Sequence, residues 1–285
     1  MADSPFSSQS QYYADLHIHS TYSDGSLTPY EIVKIGKELS LRVLSITDHD
    51  SVSGVKETIE LANNDIEIIP AVEMSSNIGD LDVHILGYYV DHNDSDLLEY
   101  LEVFKKHRVE RVKKIIENLS RDGIKLEFEQ IKVAAKNCSL GRPHIAEVLV
   151  ENGYVKSANE AFARYLGYHS PYYEPKKDIH PKEVIKKIRQ SNGVPVIAHP
   201  GTLNNEQLIY QLILDGVLGI EVWHPDHTSR WQQQLYEIAL KNGMVMTGGS
   251  DCHGRRLGSI QIGSAGCSEK DVKMLKQCWG KMCKE

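Results

Sequence analysis

The residues able to do chemistry are unevenly placed. Thirteen histidines occur in 285 residues, so one His-x-His pair alone is unremarkable. The chain has His17-Ile18-His19 and then Asp24, Thr47-Asp48-His49-Asp50, Glu73, His84, Ala198-His199-Pro200-Gly201, Trp223-His224-Pro225-Asp226-His227, and Asp251-Cys252-His253. Imidazole nitrogens and carboxylate oxygens without thiolate form a donor set suited to Mn, Fe or Zn. Gathering so many such groups without a cation is costly, because the carboxylates repel one another and resist ionisation. Metal ions would remove that cost.

Convergence depends on the elements that carry these residues. Short runs rich in β-branched and apolar residues fall at 13–19, 42–47, 66–73, 82–90, 194–199, 217–223 and 244–248. They alternate with helix-period segments, the pattern of βα units around a parallel sheet. The first helix has a distinct start, since Thr28-Pro29-Tyr30-Glu31 supplies an N-cap, a proline at the first helical position and a capping-box glutamate. Each of the seven predicted strands carries an ionisable group or runs into one. In a parallel α/β barrel the carboxyl ends share one face, so those groups would meet there. Cys252 lies between Asp251 and His253, so in extended backbone its thiol points away from theirs and reads as structural.

In this order the motifs resemble those of the PHP (polymerase and histidinol phosphatase) family of metal-dependent phosphoesterases, with the match spanning residues 13–256. The resemblance implies an α/β fold, a distorted seven-stranded (β/α)7 barrel, and two or three divalent metal ions. By position, His17, His19, Glu73 and Asp251 would hold a first ion, Glu73, His84 and His199 a second, and Asp24, His49 and His253 a third. Glu73 would bridge the first two. Asp24 stands where some relatives carry histidine, which would make the third site richer in oxygen. The implied reaction is an in-line displacement at phosphorus by metal-activated hydroxide, with Glu73, His199, Arg142 and His224 as catalytic residues.

Between the fourth and fifth predicted strands the alternation stops, and residues 94–190 read as an inserted helical subdomain. The barrel is then discontinuous, at 13–93 and 191–285. The insert's first helix carries Lys105-Lys106-His107-Arg108 and Arg111-Val112-Lys113-Lys114, either a solvated face or a surface that steers an anionic substrate. Within the insert, Ser139-Leu140-Gly141-Arg142-Pro143-His144-Ile145-Ala146 is similar to a segment of the branch that removes the 3′-phosphate from nucleoside 3′,5′-bisphosphates or trims RNA from its 5′ end. A glycine turn before Arg142 and Pro143 at a helix start would offer a guanidinium and backbone N–H groups to a phosphate. An ordinary junction with Arg142 in a surface ion pair is the alternative. Arg142, His144, His224 and His227 are the candidate substrate contacts. Tyr172, Tyr173 and Trp223 could stack a nucleobase or simply pack. His92, His107, His169 and His180 read as surface or capping residues.

Lys plus Arg number 32 against 39 Asp plus Glu, a net charge of −7, which argues against duplex DNA or an anionic membrane as partner. The expected partner is a small phosphorylated molecule, a nucleotide or short RNA. Five cysteines, odd in number and without a C-x-x-C pair, suggest reduced thiols. Residues 1–8 lack a basic region followed by an apolar run, so a cytoplasmic location is expected. Histidinol phosphate or a cyclic phosphate are rival substrates within the same chemistry. Amide hydrolysis and a metal-binding scaffold without turnover are rivals outside it.

Overall fold

A computed structural model describes residues 12–135, 140–257 and 259–283. Cys138 and Ser139 of the insert, and residues 1–8, lie outside them. The chain divides into two units, residues 1–98 with 178–285, and residues 99–177. Among the described residues, no helix is long and apolar enough to cross a membrane.

The first unit is a mixed α/β structure. β1 (Ala14–Ile18), β2 (Val43–Ile46) and β3 (Glu67–Ile68) form a parallel sheet in that order. β4 (Ala71–Ile78), β5 (Leu81–Tyr88), β6 (Val194–Ile197), β7 (Gly219–Trp223) and β8 (Val245–Gly248) form a second sheet in sequence order. Single bridges join the two sheets, His49 to Glu73 on one side and Ile18 to Cys252 on the other.

Two departures from the expected seven-stranded parallel barrel have local causes. Pro70, which has no N–H to give a ladder, divides the run at 66–73 into β3 and β4. Gly79-Asp80 then turns the chain in a two-residue hairpin, with Ile78 opposite Leu81 and Gly79 at φ +58°. β5 is consequently antiparallel to both β4 and β6, while β6, β7 and β8 are parallel. The described strands number eight in two sheets, and the carboxyl-end argument does not apply to β5.

α1 (Pro29–Glu38), α2 (Val55–Ala62), α8 (Glu206–Asp215) and α9 (Ser229–Lys241) connect parallel strands, α7 (Pro181–Gln190) leads into β6, and α10 (Glu269–Met282) follows β8. The predicted start of α1 is present, as Thr28 Oγ1 accepts the Glu31 N–H and the Glu31 carboxylate accepts the Thr28 N–H. Such a cap contributes about 1 kcal/mol. α7 falls within the expected insert of 94–190 but packs against β4, β5 and β6. Leu16, Leu86, Tyr88 and Val196 lie in one apolar core, and Ile18, Ile32, Leu44 and Ile46 in another. The buried Tyr88 hydroxyl donates to the Leu16 carbonyl at 2.9 Å, tying β5 to β1.

The second unit is helical and has its own core. α3 (Ser95–Arg121) supplies most of its length to it, followed by α4 (Phe128–Ala134), α5 (Arg142–Glu151), α6 (Ala158–Ala161) and a π-helical turn, Phe162–Leu166. Val112, Ile115, Leu119, Ile131, Ile145 and Leu149 are buried together there.

Candidate metal centre

His17 lies near the end of β1 and His19 directly follows it, two residues apart and both fully buried. His49 follows β2, Glu73 is the third residue of β4, His84 lies within β5, His199 follows β6, and Asp251 and His253 follow β8. The centre therefore draws on strand ends and on the interior of an antiparallel strand. Asp50, His199 and Asp251 have φ of +51°, +30° and +50°, a left-handed region that costs a non-glycine residue on the order of 1–3 kcal/mol. Those sharp exits from the strands turn the chain at the centre. Gly249 permits a close approach, since a β-carbon there would lie 2.3 Å from the His17 nitrogen.

Glu73 is the hub. Its Oε1 lies 2.9 Å from His84 Nδ1 and 3.0 Å from His199 Nε2. Its Oε2 lies 3.1 Å from His19 Nε2, 3.1 Å from His49 Nδ1 and 3.3 Å from His17 Nε2. Asp251 Oδ1 completes one group, 3.0 Å from His19 Nε2 and 3.3 Å from His17 Nε2. Asp24 lies in another, with Oδ1 3.4 Å from His253 Nε2 and 3.7 Å from His19 Nδ1, and Oδ2 3.9 Å from His49 Nε2. His19 thus faces both groups with its two ring nitrogens.

The donors fit divalent ions. Four ligands about 2.0–2.1 Å from a tetrahedral ion are separated by about 3.3 Å, close to the 3.0–3.3 Å separations of His17 and His19 from Glu73 and Asp251. Both nitrogens of His19, Nδ1 of His49 and Oδ1 of Asp251 are buried without a hydrogen-bond partner. Buried polar atoms normally have one, and a shared cation satisfies lone pairs that hydrogen bonds leave over. His49, Glu73 and His84 also converge, as do His17, Glu221 and His224.

The electrostatics agree. Burial opposes protonation of His19, but the Asp251 and Glu73 carboxylates beside it outweigh it and push the ring up to about 10. His17 is raised for similar reasons, against its burial, by Glu221, Asp251 and Glu73. Burial also works against ionisation of Glu73 and Asp251, yet the surrounding imidazoles hold both carboxyls well below the usual range. Burial dominates at His49 and lowers it to about 3.

The flanking carboxylates hold loops. Asp48 accepts from the Ser20 N–H and from the Ser20 and Ser23 hydroxyls, and Asp50 from the Ser75 N–H and hydroxyl. Asp15 accepts backbone N–H groups from Ser250 and Gly263, fixing the segment after β8 against β1. Cys252 is buried, and its sulfur accepts from the Gly254 and Gln261 N–H groups. The residue sequence reasoning missed is Glu221. It is fully buried on β7, with its carboxylate 3.0 and 3.2 Å from His17 Nδ1. A lone carboxylate in the apolar run Gly219-Ile220-Glu221-Val222-Trp223 was the available signal.

Among the candidate substrate contacts, His224 is buried, with Nε2 3.4 Å from Asp251 Oδ2 and Nδ1 accepting the Asp226 N–H. His227 lies with both ring nitrogens against backbone groups. Its Nδ1 lies 2.9 Å from the Val222 carbonyl and its Nε2 accepts the Gly201 N–H, which leaves no ring nitrogen for a substrate. His144 is likewise fully buried, and its Nδ1 accepts the Gly141 N–H, closing the first turn of its own helix. In the second unit, the Arg142 guanidinium donates to the Leu166 carbonyl at 2.9 Å and lies 4.9 Å from the Tyr168 ring centroid and 5.7 Å from that of Tyr173. The Tyr172 hydroxyl donates to Asp122.

A buried cluster of imidazoles and carboxylates on an α/β frame defines a metal-dependent hydrolase. Residues 15–169 match the PHP domain. The chain is 32% identical to the 3′,5′-nucleoside bisphosphate phosphatase of Chromobacterium violaceum, over 87% of this chain and 90% of that protein. It is 32% identical to a 5′-3′ exoribonuclease of Haemophilus influenzae, over 84% and 89%. A solved structure of a candidate metal-dependent phosphoesterase from Bifidobacterium adolescentis superposes with a TM-score of 0.87 at 28% identity, covering 94% of this chain and 96% of that one. The protein belongs to the PHP family of metal-dependent phosphoesterases.

Proposed function

We propose that this protein hydrolyses phosphate monoesters of nucleotides, with the 3′-phosphate of nucleoside 3′,5′-bisphosphates as the preferred target and 5′-end trimming of short RNA as a related activity. The observation that carries the chemistry is Glu73, one buried carboxylate whose two oxygens face different sets of imidazoles. The substrate class is supported by the likeness to the bisphosphate phosphatase and the exoribonuclease along most of the chain.

His17, His19, Glu73 and Asp251 would hold one ion, Glu73, His84 and His199 a second, and Asp24, His49 and His253 a third. Mn, Fe or Zn suits these donors. When bound, such ions activate water as a nucleophile and neutralise charge building on the phosphoryl oxygens. Glu73 spaces the first two sets, His224 braces Asp251, and His227 fixes the turn at Gly201. Arg142, stiffened by Leu166 and Tyr168, holds a substrate phosphate as a delocalised cation. We assign the first unit to a distorted (β/α)7 barrel, counting β3 and β4, which Pro70 divides, as one of its seven strands and joining the two sheets through the bridges at His49 and Cys252.

The test is a hydrolysis screen on metal-reconstituted protein with nucleoside 3′,5′-bisphosphates, RNA oligomers, histidinol phosphate and cyclic phosphates. Metal-dependent release of phosphate, most efficient from the bisphosphate, is the expected result. Histidinol phosphate cleaved at least as efficiently would overturn the substrate class, and full activity without metal would overturn the chemistry.

A further inference from the structure

Glu221 has no place in the ligand sets above, yet it is fully buried between Ile220 and Val222. A buried carboxylate is costly unless it is paired and hydrogen-bonded. Its partners are two groups of the centre. Both oxygens lie within reach of His17 Nδ1, at 3.0 and 3.2 Å, and Oε2 accepts the His199 N–H at 2.7 Å.

We infer that Glu221 is a positioning residue of the centre: it holds His17 in the tautomer protonated on Nδ1 and so presents the Nε2 lone pair to the ion shared with Glu73 and Asp251. The inference rests on the metal-centre reading. An ionised carboxylate only accepts hydrogen bonds, so His17 Nδ1 must donate. With Nδ1 donating, the lone pair of the neutral ring lies on Nε2, the nitrogen 3.3 Å from both Glu73 Oε2 and Asp251 Oδ1. The opposite tautomer would set an imidazole lone pair against a buried carboxylate. A carboxylate behind a ligating histidine also makes the imidazole a stronger donor.

The second contact acts on the other side of Glu73. His199 occupies a left-handed turn, φ +30° and ψ +50°, and the bond from its N–H to Glu221 holds the strand exit that carries its Nε2 to 3.0 Å from Glu73 Oε1. One carboxylate on β7 thus braces a donor in each of the two sets that Glu73 joins.

The experiment compares wild type with Glu221→Gln, each loaded with Zn, by elemental analysis and by chelator competition. 15N-histidine NMR of the Zn-loaded wild type reads the tautomer directly. We expect Glu221→Gln to keep the fold by circular dichroism and to bind one ion about 10- to 100-fold more weakly, with the Asp24, His49 and His253 group unaffected. In wild type, the His17 proton should sit on Nδ1. Equal affinities in a folded Gln variant would overturn the inference, as would a Zn-loaded His17 protonated on Nε2, a measurement that stands even if the variant does not fold. An additional ion in wild type, lost entirely in Glu221→Gln, would make Glu221 a ligand with His17 and His224 and also overturn it. Wild type that binds no ion would instead remove the centre reading itself.

Discussion

Replacing Glu73 by glutamine preserves the shape of the hub and removes its charge. Five imidazole nitrogens lie 2.9–3.3 Å from its two oxygens, and the side chain is fully buried. The amide replaces one accepting oxygen with an N–H₂ group that directs protons at whatever cation occupies that side. For unit charges about 4 Å apart at an effective dielectric near 20, the lost attraction is about 4 kcal/mol, roughly a thousandfold in rate or in ion occupancy. Divalent ions on both sides make that a lower bound. The assay pairs kcat/KM on a nucleoside 3′,5′-bisphosphate and on p-nitrophenyl phosphate with the metal content of the same sample. Both substrates should lose about three orders of magnitude or more, because the loss lies in the centre and not in recognition. A Glu73→Gln variant with full metal content and more than a tenth of wild-type activity would refute the bridging role.

Four further outcomes are expected. Asp24→Ala should release about one equivalent of metal, read by elemental analysis, while the ions near Glu73 remain; loss of all or none would contradict the grouping. Arg142→Ala should cost about 2 to 4 kcal/mol in kcat/KM for the bisphosphate and much less for p-nitrophenyl phosphate; equal losses would place Arg142 against the transferred group. Metal binding near pH 7 should release protons, measurable by calorimetry in buffers of different ionisation heat. His17 is raised well above its ordinary value and His19 to about 10 in the ion-free centre, so protons must leave as ions enter, and affinity should fall as pH falls. Gly249→Ala should lower Tm and metal affinity together, since its new methyl meets the His17 backbone and Cβ at 2.3 and 2.4 Å, with a cost of about 1–3 kcal/mol.

The ligand-type residues were legible because each stands at a position with a backbone reason to be noticed: His17 and His19 two apart at a strand end, Asp251 and His253 with a thiol facing away between them. The βα alternation likewise exposed the first and last strands. The reversal at β5 is not visible in the sequence, because the run 66–73 looks continuous until Pro70 is weighed as a strand break and the hairpin turn at Gly79-Asp80 is only two residues long. His84 was singled out even so, although it reaches the centre from within an antiparallel strand. The surroundings of His144 and His227 are not legible in the sequence. Their ring nitrogens bond to backbone groups, Gly141 in one case and Gly201 and Val222 in the other, and side chain to main chain pairings leave no pattern in a sequence. Glu221 escaped because a single carboxylate in an apolar strand acquires meaning only through a histidine 204 positions away.

The bridges Ile18 to Cys252 and Ala14 to Cys267 bear on how the molecule is made. The opening strand of the first unit finds part of its pairing with the segment after β8, so a nascent polypeptide emerging from the ribosome carries His17, His19 and Glu73 long before Asp251 and His253 exist beside them. Contacts of such wide sequence separation form slowly, because loop closure must be offset before they contribute. If the proposed ligand sets hold ions, those that include Asp251 and His253 would be complete only once the segment after β8 has docked on β1. Pulse-labelled chains should acquire tightly held metal later than they acquire helix content.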